Sequence, residues 1–127
     1  MYLLDTHALL WFLNDDPALP DATKELIGAS GEVYASVVTF WEMAIKNSIG
    51  RLTLPDPVLR IMTVCEEKYI SILPIKAMHL DLLCLLPAIH KDPFDRLLIC
   101  QAKSEGMTLV TVDESIAKYD VATIWRK

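Results

Sequence analysis

The stretch Tyr2-Leu3-Leu4-Asp5-Thr6-His7-Ala8-Leu9-Leu10-Trp11-Phe12-Leu13 changes character at one residue. Residues 2–4 form a short apolar run that reads as a strand, Asp5 ends it, and residues 8–13 read as a helix. A strand that hands over directly to a helix is the opening unit of an α/β chain, and the rest of the sequence repeats it. Residues 33–35, 70–74, 109–112 and 122–125 read as further strands. Between them the apolar spacing predicts helices over 22–27, 39–48, 58–68, 77–86 and 94–104, with a helical turn at 114–118. Asp21, Asp56-Pro57 and Asp92-Pro93 look like helix starts, and Gly28, Gly50 and Gly106 like helix stops. The predicted fold is α/β, a three-layer α/β/α sandwich with a central, mostly parallel sheet, and residues 1–127 are expected to form a single domain. The helices on either side of the third strand are expected to form a small hairpin beside that sheet.

Parallel strands all open at one edge, and α/β folds bind their ligands at the carboxyl ends of the strands. Asp5, Glu42, Asp95 and Asp113 each fall where a predicted strand gives way to a helix. Four acids scattered through the chain are therefore expected to meet in one space. Carboxylates that close repel one another and raise each other's pKa unless a cation lies among them. Hard divalent ions favour such oxygen ligands, so the arrangement reads as a Mg²⁺ or Mn²⁺ site.

Each acid also has a plainer reading. Thr39-Phe40-Trp41-Glu42 fits a capping box, and Asp5 and Asp113 sit like N-caps after strands. One at a time, capping explains each of them. Together they weaken that account, because Ser or Thr would cap as well and all four positions are acidic. Asp92 reads as an N-cap or as a group just outside the metal shell. Thr6 and Thr111 flank the acids and are placed to hold a carboxylate or a metal-bound water, or to serve as turn residues. Arg96, beside Asp95, is a candidate phosphate contact or surface ion-pair partner. His7 and His90 fall near the acids and suit structural or substrate-contact roles; His79 reads as a helix-surface residue. Trp11, Trp41 and Trp125 read as core or interface.

The chain carries a formal charge of −5, of which four units belong to the proposed metal ligands. An acidic protein is no general nucleic-acid coat, yet bound divalent ions would make its site attractive to phosphate. No apolar run reaches the ~20 residues that span a bilayer, and no basic leader precedes the first strand, so no membrane partner and a cytoplasmic location are expected. Cys65, Cys84 and Cys100 lack Cys-x-x-Cys spacing and read as buried free thiols. A hydrophobic content of 53% is high. It is expected to supply either a sheet covered on both faces or an apolar surface for a partner, centred on Trp41, Ile45, Ile61 and Met62.

These residues, taken in order, resemble a PIN-domain ribonuclease, specifically a VapC-type toxin of a type II toxin–antitoxin system. The resemblance runs from Leu4-Asp5-Thr6-His7-Ala8-Leu9-Leu10-Trp11 through Trp41-Glu42-Met43-Ala44-Ile45-Lys46 and Gly50-Arg51-Leu52. It continues in His90-Lys91-Asp92-Pro93-Phe94-Asp95-Arg96 and Gln101-Ala102, and closes on Val110-Thr111-Val112-Asp113 and Tyr119. The family's four acids fall on Asp5, Glu42, Asp95 and Asp113, with none replaced. The resemblance implies a Mg²⁺- or Mn²⁺-dependent endoribonuclease that hydrolyses RNA phosphodiester bonds, forms a homodimer and is neutralised by a cognate antitoxin. In it, Asp5 and Asp95 are the main ligands, and Glu42 and Asp113 complete the cage or hold metal-bound water. Transfer, ribosomal and messenger RNA all fit as substrate. Two other classes share some features. A receiver-like phosphoacceptor module also has alternating strands and helices with an acidic pocket, but it would pair its first acid, whereas Asp5 stands alone. A non-catalytic binding protein would use the acids only as caps.

Overall fold

The computed structural model describes residues 1–127. Five short strands form one sheet in the order β3-β2-β1-β4-β5, and every neighbouring pair is parallel. The strands are β1 (Tyr2–Leu4), β2 (Val33–Ser36), β3 (Ile70–Leu73), β4 (Thr108–Val110) and β5 (Thr123–Ile124). Six helices connect them: α1 (Thr6–Leu13), α2 (Asp21–Ala29), α3 (Val37–Ser48), α4 (Val58–Glu67), α5 (Ala77–Leu85) and α6 (Pro93–Glu105). A 3-10 turn spans Ile116–Lys118.

Side chains alternate across a strand, and β1 shows how that builds the layers. Leu3 faces a core cluster with Leu97, Leu98 and Leu109, while Leu4 faces another with Ala35, Met43 and Val110. Each cluster holds 13 buried residues, so both faces of the sheet are covered to the same extent. Burying a leucine as fully as Leu3 or Leu4 is worth roughly 1.5–3 kcal/mol. Helices α5 and α6 cover one face; α1, α2 and α4 cover the other. Helix α3 reaches both, through Val38 on one side and Phe40 and Met43 on the other. The result is the α/β/α sandwich predicted from the sequence, with a sheet that is parallel throughout.

Several local expectations are corrected. No hairpin joins α4 and α5: Ile61 and Cys65 of α4 pack in one core cluster, and Leu82 and Leu83 of α5 pack against the other. The strand β3 between them carries the chain from one face to the other. Ile61 is only 6% exposed, so it belongs to the core and not to an apolar surface. Helix α2 runs through Gly28 to Ala29, because buried Thr23 and Ile27 hold the helix against the core. Its N-cap position is taken by Pro20, with Asp21 as the first helical residue, and Pro57 takes the same position at α4. Gly106 does end α6, in the left-handed conformation that glycine adopts without strain. Cys65 and Cys100 are buried, but Cys84 is exposed. His79 is fully buried: its Nδ1 accepts from the Lys76 N–H at 3.0 Å and its Nε2 meets Glu105 at 3.0 Å. With both ring nitrogens satisfied, the imidazole loses little by leaving water.

Candidate active site

The registers Leu4↔Ala35 and Leu4↔Val110 bring the ends of β1, β2 and β4 level, so Asp5, Ser36 and Thr111 follow at one edge of the sheet. Asp5 caps α1, its Oδ1 accepting from the Ala8 N–H at 2.8 Å, and it is 5% exposed. Burial pushes its pKa up, against the opposing pull of the Thr111 hydroxyl and the Ala8 N–H; the charge on Asp113 adds to the rise.

Glu42 does not cap its helix. Ser36 is the N-cap of α3, its hydroxyl accepting from the Val38 N–H at 3.0 Å, and Thr39 lies inside the helix. Glu42 therefore lies in the second turn, 4% exposed, pointing at the sheet edge. Thr6 donates to its Oε1 at 2.6 Å and Lys46 pairs with its Oε2. The Lys46 pKa is raised, first by that hydrogen bond to Glu42 and further by the charges of Asp92 and Asp95. Lys46 is thus a built-in cation of the acidic cluster.

Asp92 caps α6, its Oδ1 accepting from the N–H groups of Phe94 at 2.8 Å and Asp95 at 3.1 Å. Asp95 is left free of capping duty, one turn into a helix that follows another helix and not a strand. Its pKa is pushed up to about 7, chiefly by burial, then by Asp92, with Glu42 and Asp5 adding and His90 opposing. Asp113 follows β4 in an irregular turn, accepting from the Ser115 N–H at 2.8 Å, while its own N–H donates to the Thr111 hydroxyl at 3.0 Å. Burial works upward on the Asp113 pKa, but the Ser115 N–H and the His90 ring outweigh it and hold the group low.

The structure thus brings all four acids together, although only Asp5 directly follows a strand and Asp113 comes three residues after β4. Asp5, Glu42 and Asp92 all act on Asp95, and His90 joins Asp95 to Asp113: its Nε2 lies 3.1 Å from Asp95 Oδ2 and 3.2 Å from Asp113 Oδ2. His90 Nδ1 accepts from the Asp92 N–H at 3.1 Å, so the ring proton is on Nε2 and is shared between the two carboxylates. Donor atoms of His90, Asp95 and Asp113 lie within 4.8 Å of one another, close enough for one cation. The tautomer argues for oxygen ligands alone, since an imidazole that accepts at Nδ1 carries its proton at Nε2. His90 sets this N–H between the carboxylates of Asp95 and Asp113, which would be free to hold a cation if the ring moved aside.

The donor set fits a hard divalent ion. It consists of buried or half-buried carboxylates; burial chiefly, and neighbouring acid charge in addition, raises the pKa of Asp5 and of Asp95. Solvent reaches this edge at Asp95 and Asp113, whose side chains are 21% and 36% exposed, while Asp5 and Glu42 lie buried beneath. The four concave pockets of the molecule are lined by other residues, among them the one of about 100 Å³ bounded by Leu10, Leu13, Pro55 and Val64.

Arg96 and Tyr119 hold the loop that carries His90. Arg96 Nη1 donates to the Pro87 carbonyl at 2.9 Å, and Nη2 lies 3.4 Å from the Leu86 carbonyl. Tyr119, 5% exposed, accepts from the N–H groups of Ile89 and His90 at 3.0 and 2.7 Å and donates to the Pro87 carbonyl at 2.8 Å. Lys46 and Tyr119 were not singled out by the sequence as site residues. The four-residue spacing from Glu42 to Lys46 was visible, but it also describes an ordinary surface pair on a helix. Nothing local marks Tyr119, whose partners lie about 30 residues away.

The model of the PIN domain family matches residues 2–122. The chain is 25% identical over 126 residues to Ribonuclease VapC22 of Mycobacterium tuberculosis, covering 97% of each. Among solved structures it is similar to VapBC2 from Rickettsia felis bound to a promoter DNA fragment, with a TM-score of 0.74, 16% identity and 98% of each chain covered. It is also similar to a toxin–antitoxin complex from Klebsiella pneumoniae, with a TM-score of 0.62, 16% identity and 98% of this chain and 96% of that one covered.

Proposed function

Since this chain belongs to the PIN domain family, we propose that it is a metal-dependent endoribonuclease, a VapC-type toxin neutralised by a cognate antitoxin. The observation that carries this reading is the convergence of Asp5, Glu42, Asp95 and Asp113 at one edge of the sheet. Residues 1–127 act as one domain in it, and the cytoplasm is where its RNA would be met. No helix is long and apolar enough to cross a membrane.

Asp5 and Asp95 are the principal ligands, and Glu42 and Asp113 complete the cage or hold metal-bound water. Bound there, one or two Mg²⁺ or Mn²⁺ ions would polarise the scissile phosphate and lower the pKa of an attacking water. Thr6 fixes the Glu42 carboxylate. Thr111 does the same for Asp5 and for the turn that holds Asp113. Asp92 orients the first turn of α6 beneath Asp95. Lys46 offsets the charge of Glu42 and is placed to meet a phosphate oxygen once an ion has joined the carboxylates. Arg96 supports the site through the His90 loop.

Purified protein should cleave single-stranded and loop RNA in Mg²⁺, lose all cleavage in excess EDTA, and regain it when Mg²⁺ is restored. Contaminating pancreatic-type nucleases need no metal, so an Asp95→Asn preparation made the same way sets the background; wild-type cleavage in EDTA above that background would count against the proposal. The antitoxin, added to the same assay, should stop cleavage. Its inhibiting segment is expected to present apolar residues together with an Arg or Lys, because the acids would grip a guanidinium at two points.

A homodimer is part of the proposal. Trp41 is 50% exposed and packs edge-on against Phe94 with ring centroids 5.1 Å apart; Leu85 is 80% exposed and Ile89 48%. That is much apolar surface for a 14.3 kDa monomer. Sedimentation at micromolar concentration should read twice the chain mass, and a single-chain species throughout would remove this part of the reading.

A further inference from the structure

Helices α3 and α6 pack in opposite directions. The start of α3 meets the middle of α6 where Ser36 Oγ lies 2.5 Å from Gln101 Oε1, and one and a half turns further on Trp41 meets Phe94. Ser36 precedes Glu42 by six residues, and Gln101 follows Asp95 by six. At 1.5 Å per residue, each acid lies about 9 Å along its helix from the same hydrogen bond. We propose that Ser36 and Gln101 are positioning residues: their bond fixes the register of α3 against α6, and with it the distance between Glu42 and Asp95 that a divalent ion requires. The proposal rests on the metal-nuclease reading of those acids.

Three observations support it. First, Gln101 is fully buried and can be placed in only one way. Its Nε2 donates to the Pro74 carbonyl at 3.2 Å and faces His79 Nδ1 at 3.4 Å. A flipped amide would set its oxygen against both acceptors. Its Oε1 must therefore receive a proton, and the Ser36 hydroxyl is the donor. Second, of the two anchors of this amide, Ser36 is the last residue of β2 and Pro74 directly follows the last residue of β3, so the helix register is tied to the sheet edge where the acids meet. Third, apart from the edge-on contact of Trp41 with Phe94, the α3–α6 contact is non-directional. Val38, Leu97 and Leu98 share one core cluster, and such packing tolerates small slides that a directional buried hydrogen bond does not.

The test reads Mn²⁺ affinity by calorimetry or electron paramagnetic resonance on the full-length protein, well below its melting temperature. Ser36→Ala removes the donor with little change in volume, and Gln101→Met removes the amide while keeping chain length. Both are expected to weaken Mn²⁺ binding at least about tenfold, the usual effect of losing a residue that orients metal ligands. Ser36→Thr, which keeps the hydroxyl, should recover most of the affinity. Cys65→Ala, buried under the other face of the sheet, should lower the melting temperature and leave Mn²⁺ affinity unchanged. Wild-type affinity in both Ser36→Ala and Gln101→Met would overturn the proposal, as would a wild-type protein that takes up no Mn²⁺. A wild-type protein that binds Mn²⁺ but cuts no RNA would overturn the nuclease reading and leave the positioning role standing.

Discussion

Asp95→Asn should lower RNA cleavage about a thousandfold, equivalent to ~4 kcal/mol of lost transition-state stabilisation, while the protein stays folded. Asparagine keeps the size of the side chain and removes the charge that would hold an ion. The helix does not depend on Asp95 for its cap, because Asp92 receives the N–H groups of Phe94 and Asp95 itself. In the metal-free protein the substitution also relieves repulsion from Asp92, Glu42 and Asp5. The variant should therefore melt no lower than wild type in EDTA at pH 8. Initial rates at saturating Mg²⁺ decide the matter, and a loss of less than tenfold would return Asp95 to a structural role.

Metal-free protein should become less stable as the pH rises from about 4 to about 8. Asp95 has an ordinary pKa of 3.8 when the chain is unfolded and about 7 when folded. Between those values the folded state binds a proton that the unfolded state has released, so stability is greatest on the acid side and is lost as the pH climbs through 7. Asp5, also raised, works in the same direction. Asp113 is held low and works in the opposite one, stabilising the fold above its ordinary pKa and losing that contribution as pH falls. Its side chain is 36% exposed, so solvent screens much of that effect. The net loss between pH 5 and pH 8 should be on the order of 2–3 kcal/mol. Urea midpoints in EDTA at the two values measure it. Saturating Mn²⁺ should raise the midpoint at pH 8 more than at pH 5, because an ion needs the deprotonated carboxylates. A midpoint in EDTA that is higher at pH 8 would contradict the account.

The alternation of strands and helices was legible because each strand is a short apolar run and each helix has an apolar stripe. The caps at Asp5 and Asp92 were legible because capping is local chemistry. The start of α3 was hidden: Val37, Val38 and Thr39 are β-branched and poor helix formers, so the helix reads as starting at Thr39, in the role that Ser36 holds. That shift turned Glu42 from a plausible cap into a second-turn residue facing Thr6, which strengthens its place in the site. The side of the sheet taken by α4 and α5 could not be read, since an amphipathic helix fits either face equally well. His79 and Gln101 were opaque for the same reason: polar residues at helix positions look solvent-facing until the partners that bury them, Glu105, Pro74 and Ser36, are brought in by the fold. His90 was placed near the acids by sequence, but its shared proton between Asp95 and Asp113 depends on a contact 23 residues away.

The most direct test of the account is one titration in which bound Mn²⁺ and RNA cleavage are followed together on the same metal-stripped protein. The four-acid site predicts no cleavage at zero occupancy, cleavage that rises in step with bound Mn²⁺, and neither signal in Asp95→Asn. Cleavage by wild-type protein before any Mn²⁺ is bound, or full Mn²⁺ occupancy without cleavage of any RNA offered, would contradict it.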